Sequence, residues 1–411
     1  MLPQLPPNGK TKTGVLIEQG AASNPLRLHG RPQKEDLAQT PRLCFPNISL
    51  ENGWGLCILA RACGARPQAE RKPSMMNNPR VAIVGATGAV GVEILSCLES
   101  RNFPLASLKL LASHRSAGKQ VAFRGGMITV EELTPDSFKD VDLALFSAGG
   151  DISREYAPIA AAAGAVVVDN SSAFRQDADV PLVVPEINGE AAFNHPRNII
   201  ANPNCTTIIT LMALYPLHVR YGLKTIIASS YQAVSGSGQH GITELENQVR
   251  AIANGHPVEI STYPRQIAFN VLPQIDKFAD NGYTKEELKM LNEGRKILSL
   301  PELKVTCTCV RVPVYRSHSI SCVAQFEKPV DVAGARACYA DRPGVRLMDD
   351  PAANLWPTPL DSTNGDDCLV GRIRMDSAID NALNLWVVGD QVRKGAALNA
   401  VQIAELLVKG K

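Results

Sequence analysis

The stretch Arg80-Val-Ala-Ile-Val84, Gly85-Ala-Thr-Gly88-Ala-Val-Gly91, Val92-Glu-Ile-Leu-Ser-Cys-Leu98 reads as strand, glycine turn and helix in direct succession. Glycines at such a turn let the backbone approach a pyrophosphate, and the helix N-terminus offers free N–H groups and a favourable dipole. The turn carrying Gly85, Gly88 and Gly91 is therefore a candidate phosphate-binding loop. The spacing is GxxGxxG rather than GxGxxG, and a tight strand-to-helix turn without any ligand satisfies it too. The next strand, Leu108 to Ala112, ends in Ser113-His-Arg115-Ser116-Ala-Gly118-Lys119. An acidic residue here would take ribose hydroxyls, whereas Arg115 with Ser116 suits a 2′-phosphate, which favours NADP over a plain solvated loop. Strand-like runs at 141–146, 165–168 and 199–200, separated by helical segments such as 153–163, predict a parallel sheet covered by helices.

A second stretch, Ile200-Ala-Asn-Pro-Asn-Cys-Thr-Thr-Ile-Ile-Thr-Leu-Met-Ala-Leu-Tyr-Pro216, follows the last of these runs. Pro203 biases Asn202 toward extended backbone, and the apolar run after Cys205 is long enough for a buried helix. Asn204 then falls at an N-cap and Cys205 in the first turn. There, free N–H groups and the helix dipole favour the thiolate, so a lowered pKa and a nucleophilic role are expected. A small buried apolar residue opening a core helix is the plain alternative. Arg175, in Asp169-Asn-Ser-Ser-Ala-Phe-Arg175 at the carboxyl end of a strand, is either an anion clamp or a surface arginine.

From Leu223 the texture changes to β-branched runs at 224–231, 304–313, 318–326 and 383–389 with longer connections, which reads as an α+β half with a mixed sheet. Ser229-Ser-Tyr-Gln232-Ala-Val-Ser235-Gly236-Ser-Gly238 ends one strand in a glycine-rich loop, and His318 stands just past another. Glu286 and Lys289 share one face of a charged helix over 283–296, where a surface ion pair is the plain reading. Cys307 and Cys309 share a strand face and are expected to pack in the sheet. The segment 394–409 is amphipathic and is expected to return to the first domain.

At 411 residues the chain exceeds one ordinary core. Apolar content of 45%, charge of 20% and a net charge of +2 fit a globular protein with no field for nucleic acid or membrane. Ten cysteines without a CxxC pair indicate neither a disulfide framework nor a metal site, and point to a reducing, cytoplasmic setting. No run has the roughly 18 apolar residues of a membrane span. Residues 1–78 are rich in Pro, Gly and Asn without periodicity and are expected to be a disordered extension. It reads as a misassigned start, with Met75 or Met76 opening the protein, or as a plastid or mitochondrial transit segment, the former making the location plastid. Glu18, Glu35, Asp36, Glu51 and Glu70, and the scarcity of serine, weigh against the transit segment.

Together these pieces resemble aspartate-semialdehyde dehydrogenase over essentially all of 80–411. The resemblance rests on GATGAVG at 85–91, SHRSAGK at 113–119, DNSSAFR at 169–175, NPNCTT at 202–207, FNVLPQID at 269–276, YTKEELKM at 283–290, RVPVYRSHS at 311–319 and RKGAALNAVQIAE at 393–405. It implies a Rossmann-type NADP-binding domain over 79–206, completed by a C-terminal helix within 390–411, and an α+β catalytic and dimerisation domain over 207–389. It implies Cys205 as nucleophile, His318 as acid/base catalyst and Gln232 as the group orienting the substrate carbonyl end. Arg311 would bind the α-carboxylate, Glu286 the amino group, and Arg175 and Lys289 the phosphate, with Asn204 beside the nucleophile. Thr87, Gly88, Ala89 and Val90 would meet the pyrophosphate, Arg115 and Ser116 the 2′-phosphate, and Ser235, Gly236 and Gln391 the nicotinamide. The implied reaction is NADPH-dependent reduction of L-4-aspartyl phosphate by a homodimer or homotetramer. An N-acetylglutamyl-phosphate reductase would run the same chemistry on a longer acyl phosphate, but NCTT and the Glu286–Lys289 pair match the aspartyl enzyme better. A catalytically silent NADP-binding regulator is the reading outside enzymes, and the intact set Cys205, Gln232, Arg311 and His318 argues against it.

Overall fold

The computed structural model describes residues 76–410, so the expectations for the N-terminal segment lie, up to residue 75, outside the described residues. Strand β1 (Arg80–Val84) is buried from Val81 onward, as a central parallel strand covered on both faces must be. It feeds helix α1 (Ala89–Ser100) and is followed by β2 (Ser107–Ala112), β3 (Gln120–Phe123), β4 (Gly126–Glu132), β5 (Leu143–Phe146), α2 (Gly150–Ala162), β6 (Val166–Asp169), α3 (Pro185–Asn188) and β7 (Ile199–Ala201). These strands form a seven-stranded sheet in the order β3-β4-β2-β1-β5-β6-β7, parallel except for the β3–β4 hairpin at one edge. The hairpin was not expected from the sequence.

Helix α4 (Cys205–Tyr221) leaves β7 and leads to β8 (Leu223–Gln232), α5 (Gln239–Ala253), α6 (Lys285–Leu298), β9 (Lys304–Arg311), β10 (His318–Phe326), α7 (Val332–Ala337), β11 (Val345–Leu347), α8 (Pro359–Ser362), β12 (Cys368–Met375) and β13 (Ala382–Gly389). The second sheet has six strands in the order β11-β12-β13-β10-β8-β9 and mixes parallel and antiparallel pairs, as expected. Cys307 and Cys309 lie on one face of β9 with their sulfurs 3.8 Å apart. Helix α4 is almost wholly buried, and Ile208, Leu211 and Leu214 share a core with Ile226 of β8, Ile320 of β10 and Val167 of β6. One helix therefore packs between elements of both sheets and carries Cys205 at its head.

The C-terminal segment departs from a plain helix. Arg393–Ala397 is a π-helical turn, and only then does α9 (Leu398–Lys409) begin. Leu398, Val401 and Ala404 pack with Ile83 of β1 and Ile94 of α1, so the last helix does return to the first sheet. Among the described residues, no helix is long and apolar enough to cross a membrane.

The glycine turn leaves no room for side chains. Gly85 has φ +85°, and a Cβ there would lie 2.5 Å from the carbonyl oxygen of Ser147; a Cβ on Gly91 would overlap the carbonyl oxygen of Gly85. Gly91→Ala is expected to lower stability by about 1–3 kcal/mol through this overpacking. A thermal melt indistinguishable from wild type would contradict that packing.

Candidate active site

Asn204 sets the position of Cys205. As N-cap of α4 its Oδ1 accepts the Thr206 and Thr207 N–H groups at 3.0 and 3.2 Å. Its Nδ2 donates to Glu286 Oε1 at 3.0 Å, and its own N–H donates to Glu293 Oε2 at 2.6 Å. Glu286 also accepts from Gln232 Nε2 at 3.3 Å and pairs with Lys289 at 2.7 Å. One carboxylate thus brings together the ends of β7 and β8 and the face of α6. The Glu286–Lys289 pair forms, but within the site rather than on the surface. Burial works to raise the Glu286 carboxyl, yet Lys289, Asn204 and Gln232 together hold it below the ordinary carboxylate range.

Arg175 is buried and is no surface arginine. Its Nε donates to Asn202 O at 2.9 Å, its Nη2 to Asn170 O at 2.8 Å, and its Nη1 meets Glu293 at 3.1 Å. With Lys289, Lys285 and Ser172 it lines a cavity of about 210 Å³. Glu293 escaped sequence reasoning, although it lies two turns beyond Glu286 and one beyond Lys289 on the same helix face, and that spacing is the signal. Burial pushes its carboxyl up despite Arg175 and the Asn204 N–H.

On the other side, Ala233 at the end of β8 engages two site residues through its peptide groups. Its N–H donates to His318 Nδ1 at 3.1 Å, and its carbonyl accepts from Arg311 Nη1 at 2.7 Å. Arg311 is only 5% exposed, and no carboxylate among the described residues stands within ion-pair distance of it. A Cβ on Gly236 would lie 2.8 Å from Arg311 Nη1 and 3.3 Å from His318 Cε1, so a side chain there would have to displace the guanidinium. Burial and the Arg311 charge push His318 well below the usual imidazole range.

Gln391 closes the set. Its Nε2 donates to Ser235 Oγ, and its Oε1 accepts the Ser317 N–H at 2.8 Å. The adjacent Gly395, in the π-helical turn, runs so close that a Cβ there would lie 2.8 Å from Cys205 Cβ. Glu93 of α1 holds Arg316 at 2.7 Å and Arg393 at 2.9 Å, and so ties the glycine-turn helix to the segments bearing His318 and Gln391. At the carboxyl ends of β1 and β2, Thr87 Oγ1 and Ser116 Oγ lie 3.3 Å apart. The α1 N-terminus with Gly88 as cap, the close packing of strand, turn and helix that Gly85 and Gly91 allow, and the exposed Arg115 fit a dinucleotide carrying a 2′-phosphate.

The structure corrects the expected acidity of Cys205. Burial and the Glu286 carboxylate push the thiol up to about 11, against the smaller opposing pulls of a Thr206 hydrogen bond, Arg175 and Lys289. The helix terminus alone does not make the resting thiolate. Iodoacetamide alkylation of Cys205 is expected to rise with pH toward a midpoint of about 11. Removing the carboxylate charge in Glu286→Gln should move that midpoint down, and an unmoved midpoint would sink the electrostatic account.

Comparison with known proteins agrees with this arrangement. Residues 80–195 match the family model for the semialdehyde dehydrogenase NAD binding domain, and residues 214–394 that for the semialdehyde dehydrogenase dimerisation domain. The chain is 52% identical over 330 residues to an aspartate-semialdehyde dehydrogenase of Synechocystis, covering 80% of this chain and 97% of that protein. It is 50% identical over 337 residues to that of Bacillus subtilis, with 80% and 97% covered. A crystal structure of aspartate semialdehyde dehydrogenase II complexed with ASA from Vibrio cholerae superposes with a TM-score of 0.79 at 48% identity, covering 81% of this chain and 99% of that one. The Candida albicans enzyme crystallised with NADP superposes with a TM-score of 0.64 at 26% identity, covering 80% and 98%.

Proposed function

The chain belongs to the aspartate-semialdehyde dehydrogenase family, and from that premise we propose how its residues divide the work. The reaction is the reductive dephosphorylation of L-4-aspartyl phosphate to L-aspartate 4-semialdehyde, with NADP as the cofactor, in biosynthesis of the aspartate-derived amino acids. The observation that carries the residue assignment is the uncompensated charge of Arg311. A buried guanidinium without a counter-ion is costly, and the α-carboxylate of an amino-acid substrate supplies a bidentate partner.

In this reading the substrate ammonium pairs with Glu286, which relieves the negative field that raises the Cys205 thiol. Gln232 orients the reacting end of the substrate. Cys205 Sγ attacks the acyl carbon, the carbon–oxygen bond to phosphate breaks, and phosphate leaves toward Arg175 and Lys289, leaving a thioester. NADPH supplies the hydride that reduces the thioester carbonyl. His318 serves as the acid/base catalyst, taking the Cys205 proton as sulfur attacks and returning one as aldehyde and sulfur separate. Thr87, Gly88, Ala89 and Val90 hold the pyrophosphate, Arg115 and Ser116 the 2′-phosphate, and Ser235, Gly236 and Gln391 the nicotinamide end. Residues 79–206 with the C-terminal helix form the NADP-binding domain, and 207–389 the catalytic domain. The family match over 214–394 supports a homodimer built on the second domain. The free thiols of the described residues support a reducing, cytoplasmic setting.

Purified protein given aspartate semialdehyde, NADP⁺ and phosphate is expected to form NADPH, and to lose that activity without phosphate or in Cys205→Ala. Turnover that persists in the variant would overturn the nucleophile. Arg311→Lys is expected to raise KM for the semialdehyde at least about tenfold, since the fork geometry goes with the guanidinium. An unchanged KM would remove Arg311 from the carboxylate site.

A further inference from the structure

The phosphate cavity contains a group that an anion site has no direct use for. Glu293 of α6 is 1% exposed and lines the cavity beside Arg175, Lys285 and Lys289, where its carboxylate repels the ligand that those cations attract. Its two oxygens have different partners, and both partners donate. Oε1 takes Arg175 Nη1 at 3.1 Å, and Oε2 takes the Asn204 N–H at 2.6 Å. A carboxylate offers a full acceptor to each, whereas an amide in the same place must turn its NH₂ toward one of the two donors.

Arg175 is confined on every side by these contacts. Its Nε donates to Asn202 O at 2.9 Å and its Nη2 to Asn170 O at 2.8 Å. A guanidinium has five N–H groups, so with Glu293 on Nη1, one N–H remains on each terminal nitrogen for a ligand in the cavity. The same helix also holds the backbone around it. Lys296 Nζ donates to the carbonyls of Arg175, Asp177 and Val180 at 2.9, 2.7 and 2.8 Å. Resting on the phosphate assignment above, we propose that Glu293 is a positioning residue, which turns the free N–H groups of Arg175 toward phosphate and ties that guanidinium to Asn204, the cap in front of Cys205. Repulsion between the carboxylate and phosphate is the cost of that aim. Because Lys296 keeps the backbone in place, removing the Glu293 charge loosens the guanidinium without releasing the loop.

The direct test is calorimetric titration of inorganic phosphate into full-length wild type, Glu293→Gln and Glu293→Asp. The roles open to a carboxylate here differ in sign. If Glu293 acted by charge alone, Glu293→Gln would bind phosphate more tightly and Glu293→Asp would bind it as wild type does. Positioning predicts the reverse, with phosphate bound at least about tenfold more weakly by both variants. Tighter or unchanged binding in Glu293→Gln overturns the proposal. Should that variant fail to fold, Glu293→Asp carries the test alone, since it keeps the charge but withdraws both oxygens by one methylene, and wild-type affinity in it overturns the proposal equally. In turnover, KM for phosphate should rise by the same factor, while KM for the semialdehyde, held by Arg311 and Glu286, stays within about twofold. An equal rise in both would reduce Glu293 to a packing role. Calorimetry needs no activity, so it stays separate from the proposed function, which fails instead if wild type binds phosphate but shows no phosphate-dependent turnover.

Discussion

The fourfold engagement of Asn204 is the constraint on which the site depends. Its side chain caps α4 through two backbone N–H groups, its amide reaches Glu286, and its own N–H is held by Glu293. Pro203 before it keeps the chain extended as it leaves β7, and Cys205 after it opens the helix. Because α4 is packed in one core with strands of both sheets, the position of the sulfur is fixed by that shared core. Gly395, in the π-helical turn that precedes α9, seals the other side of Cys205 with backbone.

Charge is distributed unevenly around that sulfur. Glu286 is matched by Lys289 and Glu293 by Arg175, so each carboxylate in the buried set has a cation at hydrogen-bond distance. Among the described residues, Arg311 hydrogen-bonds only to a carbonyl, and His318 Nε2 has no hydrogen-bond partner. Buried polar groups left in that state cost stability unless a ligand completes them. The two incomplete residues share the Ala233 peptide, so the part of the site left unsatisfied is a single structural unit at the end of β8.

Much of this was legible in the sequence, for identifiable reasons. The β1-turn-α1 unit and the head of α4 are specified locally, by buried apolar runs, glycines without alternatives and an Asn at a cap. The β3–β4 hairpin was missed because its residues are mostly exposed and lack an apolar stripe, and β11 because it has only three residues. Strand β12 escaped because its pairing is broken by a bulge between Gly371 and Arg374, with Arg372 at φ +54°. Ala233 acts through its backbone, which no side-chain pattern can reveal. The acidity of Cys205 was misjudged because the helix terminus is local, whereas Glu286 reaches the site from 81 positions away in the chain.

The central claim is that Cys205 carries the acyl group between the phosphate pocket and the dinucleotide. Peptide mass spectrometry of the protein mixed with L-4-aspartyl phosphate, with NADPH withheld, tests it most directly. The account predicts an aspartyl increment confined to the Cys205 peptide and removed by hydroxylamine. An unmodified Cys205 in protein that turns over when NADPH is supplied would contradict it.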